Sequence, residues 1–212
     1  YFWNADTTGN VTFWIDDIKL EKVQIEEIEE EISFVDEKFD AANLSGLNGW
    51  RGAVGGVSID NGTLKLSEGS YIYFDVPGKN GNDTYKITYD VMVDGETGSA
   101  NNSIALLGND IYFLGNFNPL TGLGNTFGFK EPNEIIPVTN GNGKWYTVSV
   151  EFCESKDNGF MRYSLTDRET GALIGTYLCP YLKSSAGAAD VSGINATSYY
   201  FWNRGADGTV AS

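Results

Sequence analysis

Tyr1-Phe2-Trp3-Asn4 returns as Tyr200-Phe201-Trp202-Asn203, and the residues behind each copy decide how the chain is read. Behind the first lies a turn-rich run, Ala5 to Gly9; behind the second lies another, Arg204 to Gly208. Each then enters a Gly-x-Val step, Gly9-Asn10-Val11 and Gly208-Thr209-Val210. The first copy continues into a strand pattern, Val11 to Leu20. Val11, Phe13 and Ile15 share a face, Asp16-Asp17 breaks the alternation, and Ile18 and Leu20 resume it one residue out of step, as a β-bulge does. The second copy reaches Ala211-Ser212, where that strand would begin. The expected organisation is therefore a closing hairpin or strand of a preceding or neighbouring repeat (1–20), an acidic linker (21–33) and a β-sandwich domain lacking its own last strand (34–212).

The missing strand matters energetically. Each inward apolar residue of Val11 to Leu20 contributes roughly 1.5–3 kcal/mol on burial, and a whole domain is stable by only about 5–15 kcal/mol. Three suppliers are open: the chain's own residues 11–20 folding back, a neighbouring chain donating them, or a further repeat of a longer tandem array. The place expected for the closing strand is beside Ser33 to Phe39.

Composition narrows the class. The chain has 212 residues, 29 acidic side chains against 14 basic ones and a net charge of -15. Such a charge repels phosphate backbones and other polyanions, so nucleic acid is excluded as a partner. No run of about 18 apolar residues offers a membrane span. Acids crowd between Asp16 and Asp40, in a stretch where Ile25, Ile28 and Ile32 also allow a short amphipathic helix; an extended linker is the alternative. Short apolar runs separated by turn residues every 8–12 positions, roughly, are the pattern of an all-β sandwich.

The strands can be placed coarsely. Ser33 to Phe39 opens the domain. Gly62 to Leu66 and Tyr71 to Val76 read as a hairpin around Glu68-Gly69. Tyr85 to Val93 alternates cleanly. Ser103 to Leu107 and Ile111 to Leu114 flank Gly108-Asn109-Asp110. Trp145 to Cys153, Gly159 to Thr166 and Ala172 to Leu178 form a meander, and Tyr199 to Trp202 comes last. Residues 116–142 read as a long loop region. Cys153 and Cys179 end the outer strands of the meander, roughly 9–10 Å apart, which is too far for a disulfide.

There is no histidine. Ser-His-Asp and Cys-His triads are thereby removed, with the commonest metal ligand. No phosphate-binding Gly-Lys-Ser/Thr loop exists, and no strand carries inward acids at alternate positions, as glycoside cleavage would require. The chain reads as a protein that is not an enzyme.

Gly143-Lys144-Trp145-Tyr146-Thr147-Val148 resembles a strand of concanavalin A-like (laminin-G-like) sandwich domains, and Asp167-Arg168-Glu169-Thr170-Gly171 resembles a turn found after it in them. Phe39-Asp40 with Asn48-Gly49-Trp50 is similar to their opening, and the Gly9 to Ile18 run, Gly-x-Val-x-Phe-x-Ile-Asp-Asp-Ile, to the closing strand of such domains and of jelly-roll carbohydrate-binding modules. The resemblance implies a two-sheet antiparallel β-sandwich, glycan binding on one face or at loop tips, and a structural Ca²⁺ near the first and last strands. Asp16, Asp17, Glu37 and Asp40 are the candidate ligands, because hard carboxylate oxygens suit that ion.

Sugars need flat rings for their C–H faces and amides for their hydroxyls. Trp50, Tyr71, Tyr73, Tyr112, Phe113, Phe117, Phe127, Phe129 and Trp202 are the rings available. The chosen set is Trp50, Tyr112, Asn116, Phe117, Asn118, Asn125 and Phe127. The functional expectation is an extracellular or cell-surface glycan-binding or adhesive module, one unit of a tandem repeat, with a polysaccharide or glycan as partner. The alternative is a structural repeat or filament subunit that joins neighbouring copies of itself through residues 1–20 by strand complementation.

Overall fold

The computed structural model describes residues 37–67, 69–94, 104–109, 112–124, 135–184, 189–203 and 209–211. The chain divides into two units, Tyr1–Ser33 and Phe34–Ser212, and every described residue belongs to the second. Among the described residues all long elements are strands: β1 (Trp50–Val54), β2 (Val57–Asp60), β3 (Thr63–Leu66), β4 (Tyr71–Asp75), β5 (Thr84–Asp94), β6 (Ile104–Gly108) and β7 (Tyr112–Asn118). They continue with β8 (Gly122–Gly124), β9 (Ile135–Pro137), β10 (Trp145–Cys153), β11 (Phe160–Asp167), β12 (Leu173–Cys179), β13 (Ser198–Asn203) and β14 (Thr209–Ala211). One 3₁₀ turn, Leu44–Gly46, precedes β1.

The strands form two antiparallel sheets. The first has the order β1-β4-β13-β6-β7-β8-β9, the second β12-β11-β10-β5-β14-β3-β2. The two sheets bury one shared core. Strand β10 shows why: Tyr146, Val148, Val150 and Phe152 point inward at every second position and are buried, while Trp145, Thr147, Ser149 and Glu151 point out. Ile72, Phe74, Tyr199 and Phe201 come from the first sheet to meet them, with Val91, Val93, Tyr163 and Leu165 from the second. The fold is thus the expected two-sheet β-sandwich.

The meander is present: β10 and β11 pair without a break from Tyr146 with Asp167 to Cys153 with Phe160, and β11 pairs β12 from Met161 with Cys179 to Thr166 with Leu173, with one register shift between Leu165 and Thr166. Cys153 and Cys179 are both buried, with β11 between their strands. The β11–β12 turn is the Asp167 to Gly171 motif. The Asp167 carboxylate accepts from the Thr170 amide at 2.9 Å and from its hydroxyl at 3.0 Å, and these bonds hold it below the usual carboxylate range.

Three expectations are corrected. Residues 37–40 are not a strand. Phe39 takes a left-handed φ of 54°, its amide donates to the Glu37 carboxylate at 2.6 Å, and the first strand among the described residues is β1. Strands β3 and β4 are adjacent in sequence but do not pair: β3 lies between β14 and β2, and β4 between β1 and β13. The chain crosses from one sheet to the other at residues 67–70, where Ser70 is fully buried. Residues 116–142 contain parts of a sheet, since β7, β8 and β9 pair in sequence.

The short β14 is the structural meaning of the second Gly-x-Val copy. It seats between β3 and β5, with Val210 opposite Leu66 on one side and opposite Val93 on the other. Among the described residues the second Gly-x-Val copy thus runs between β3 and β5, and residues 33–36 of the strand expected beside it lie outside the described residues.

Candidate functional site: an aromatic face on the first sheet

Strands β4 and β13 are unusual in being aromatic on both faces. Ile72 and Phe74, with Tyr199 and Phe201, point into the core. The alternate positions, Tyr71, Tyr73, Tyr200 and Trp202, therefore point out of the sandwich. Register aligns them as two cross-strand pairs, Tyr71 with Trp202 and Tyr73 with Tyr200. Leu107 on β6, opposite Tyr200, extends the patch.

The rings support one another. Tyr73 and Tyr200 lie 4.9 Å apart at 30°, and Tyr71 stands edge-on to Tyr73 at 5.7 Å and 90°. Tyr71 also meets Tyr200 at 6.2 Å. Tyr71, Tyr73 and Trp202 remain partly exposed, while Tyr200 and Leu107 form the buried floor of the patch.

A charged edge borders the rings. The Arg51 guanidinium sits 5.1 Å from the Tyr73 ring centre. It donates to both carboxylate oxygens of Asp75, at 2.8 and 2.9 Å, and to the Ser198 hydroxyl at 3.0 Å. This two-point geometry fixes the guanidinium plane. The Arg51 hydrogen bonds hold the Asp75 carboxyl below its ordinary range, and Asp75 in turn raises Arg51. Such a face offers flat rings for sugar C–H surfaces, with Arg, Asp, Ser and tyrosine hydroxyls at its margin.

The outer face of the second sheet is different. There Asp90 accepts from the Thr147 hydroxyl at 2.6 Å and pairs with Arg168 at 2.8 Å, and Arg162 pairs with Glu151 at 2.8 Å. A sandwich of this kind thus tolerates a polar exterior, and the aromatic exterior of β4 and β13 is not required by packing.

Of the residues expected from sequence to bind sugar, Asn116, Phe117 and Asn118 are buried and Trp50 is partly buried. Phe117 is completely buried and packs on Tyr146 at 5.0 Å, so its ring has no free face. Asn116 and Asn118 are buried too, and the Asn118 carboxamide accepts from the Leu120 amide to shape the β7–β8 turn. Trp50 turns inward and packs on Phe39, Phe74 and Phe201. Tyr112 lies in β7, paired with Gly108. Asn125 and Phe127 lie outside the described residues.

Of the four candidate calcium ligands, Asp16 and Asp17 also lie outside the described residues. Glu37 is engaged with the Phe39 amide and Asp40 is exposed. Among the described residues no three His, Cys, Asp or Glu side chains come together.

Tyr71, Tyr73 and Trp202 are visible in the sequence as available rings, but nothing obvious ranks them above Trp50 or Phe117. The signal that could have found them is the unbroken aromatic run Tyr199-Tyr200-Phe201-Trp202. A strand buried on one face only should alternate, and this one does not. The repeat adds to it: the first copy keeps Tyr and Trp at the two positions that face outward in the second.

No family model and no curated protein matches the chain. Among solved structures it is similar to lectin II from Ulex europaeus, at 11% identity and a TM-score of 0.49, over 78% of this chain and 91% of the lectin. Peanut lectin with a bound 9-residue peptide aligns at 10% identity and a TM-score of 0.48, over 78% and 89% of the two chains. Arcelin-5, a lectin-like defence protein from Phaseolus vulgaris, aligns at 11% and 0.42, over 80% and 95%. These are likenesses in the layering of the sheets, and the sandwich itself stands on the strand pairing described above.

Proposed function

We propose that this protein is a non-catalytic glycan-binding module that holds neutral sugar chains on the outer face of β4 and β13. The observation that carries the reading is the paired, partly exposed set Tyr71, Tyr73 and Trp202, set over Tyr200 and edged by Arg51 and Asp75. Aromatic rings lose little conformational entropy on binding and present large flat surfaces. A net charge of -15 disfavours anionic polymers, which points to uncharged polysaccharides. Such a module acts outside the cell or at its surface, where those polymers are found. The test is retention on immobilised neutral polysaccharides and on a glycan array. Binding that disappears in Tyr73→Ala and Trp202→Ala, with folding intact, supports the reading. Binding unaffected by both contradicts it.

A second reading, assembly of copies by strand exchange, is favoured by the position of β14. Its register on β5 can be continued with the residues of the first copy. Phe13 then falls opposite Val91 and Ile15 opposite Tyr89, and the Asp16-Asp17 bulge would return Ile18 and Leu20 to the side of Ile87 and Tyr85. Those β5 side chains face the core. Among the described residues only Asp94 to Met92 of β5 have β14 beside them. Oligomers that grow with concentration and vanish on deletion of residues 1–20 support exchange; a monomer at all concentrations contradicts it.

A further inference from the structure

Lys79, Glu154 and Asn195 come from three separate segments: the β4–β5 turn, the residue after β10, and the loop before β13. They meet in one cluster, with Lys79 and Glu154 buried and Asn195 at its exposed edge. The Lys79 side chain is 1% exposed and that of Glu154 is 0% exposed. Lys79 Nζ donates to Glu154 Oε2 and, at 3.0 Å, to Asn195 Oδ1. The Asn195 amide group donates back to the Lys79 carbonyl at 3.2 Å. Glu154 is held from its other sides by the Ala196 amide at 3.2 Å and the Tyr199 hydroxyl at 3.1 Å. Rings wall the lysine, with Tyr85 at 4.8 Å and Phe152 at 5.9 Å. Gly81 leaves room for the amide: a side chain there would meet Asn195 Cβ, Cγ and Oδ1 at 3.2–3.3 Å.

Burying an amine and a carboxylate is costly, and a well-packed apolar trio is often at least as stable. The three groups are also the reactants and the proton carrier of one reaction. We propose that Lys79 and Asn195 become joined by an intramolecular isopeptide bond, formed by the chain itself with Glu154 as the proton shuttle. Glu154 takes a proton from the Lys79 ammonium. The neutral Nζ attacks Cγ of Asn195, and the new C–N bond forms as the carbonyl becomes tetrahedral. Glu154 passes this proton, and a second one from Nζ, to the carboxamide nitrogen. The Cγ–Nδ2 bond breaks and the nitrogen departs as ammonium. No oxidant, metal or cofactor enters the balance. Asn195 is exposed on its outer side, which gives the departing nitrogen a way to solvent. Positioning by a water-poor wall supplies the orientation such attack needs.

The bond would tie residues 116 positions apart and enclose every strand from β5 to β12. A closed loop of that length limits the unfolded chain and retards unfolding, as a disulfide does, but it cannot be reduced.

The experiment is intact-mass measurement of the purified, denatured chain, with sequencing of its protease digest. The expected result is a mass lower than the sequence mass by one ammonia and a branched peptide joining Lys79 to Asn195. Asn195→Asp should give the same branch with loss of one water. Glu154→Gln and Asn195→Ala should show the unreduced mass and two linear peptides; Asn195→Ala, at an exposed position, keeps the test readable should Glu154→Gln misfold. Linear Lys79 and Asn195 peptides from the unaltered chain would overturn the proposal, as would ammonia loss mapped to another asparagine. A branch persisting in Glu154→Gln would overturn the role given to Glu154.

Discussion

At the scale of residues, some rings hold the fold and others face out. Trp202→Ala and Tyr73→Ala remove outward rings, so glycan affinity should fall by about tenfold or more, equivalent to about 1.4 kcal/mol, with the unfolding midpoint little changed. Phe117→Ala empties a core position and should cost about 3–5 kcal/mol of stability. Paired binding isotherms and denaturant curves distinguish the two outcomes. Asp75 adds a pH dependence with a definite sign. Its carboxyl is held below the ordinary value by Arg51, so its contribution is complete above the usual aspartate range near 3.9. That contribution is lost only as pH falls through the depressed value. Binding should be flat from about pH 5 to 8 by this group and weaken in stronger acid, and Asp75→Asn should abolish the acid limb. The chemistry of single residues was legible unevenly. The absence of histidine was plain from sequence, but exposure was not: Phe117 and Tyr73 look alike until strand pairing assigns each a face.

At the scale of elements, alternation carried most of the information. Strands β5, β10 and β11 match their sequence patterns closely, because one face of each packs on the core and a one-residue slip would expose it, whereas β12 is largely exposed up to the buried Cys179. The β3–β4 pair did not match, for a physical reason. Two apolar strands around a Gly-containing turn look the same whether they pair with each other or cross between sheets. Only the buried Ser70 and the partners across each sheet tell them apart. The β8–β9 pair was hidden because both strands have three residues and one is Gly122-Leu123-Gly124. Gly122 has a φ of 124°, and a side chain there would stand 2.0 Å from the Ile136 carbonyl oxygen. Gly122→Ala should therefore destabilise the domain by about 1–3 kcal/mol or more, read as a lowered denaturation midpoint.

At the scale of the whole molecule, two sheets, each of seven strands among the described residues, share one core; the first is aromatic on the outer face of β4 and β13, and the second carries ion pairs outside β5, β10 and β11 and exposed Leu173 and Leu178 on β12. The sandwich was readable from the spacing of turn residues between short apolar runs and from the Gly143 to Val148 and Asp167 to Gly171 motifs. The proposed binding face was not, since the aromatic patch exists only when β4 and β13 lie side by side, although Tyr71 and Trp202 are more than a hundred residues apart. The functional claim rests on that adjacency. Hydroxyl-radical footprinting tests it most directly, with a neutral polysaccharide that the protein retains, compared with the protein alone. Tyr71, Tyr73 and Trp202 should be protected from oxidation in the bound state, and Trp145 on the opposite sheet should not. Protection confined to other parts of the chain, with these three rings oxidised equally in both states, would contradict the account.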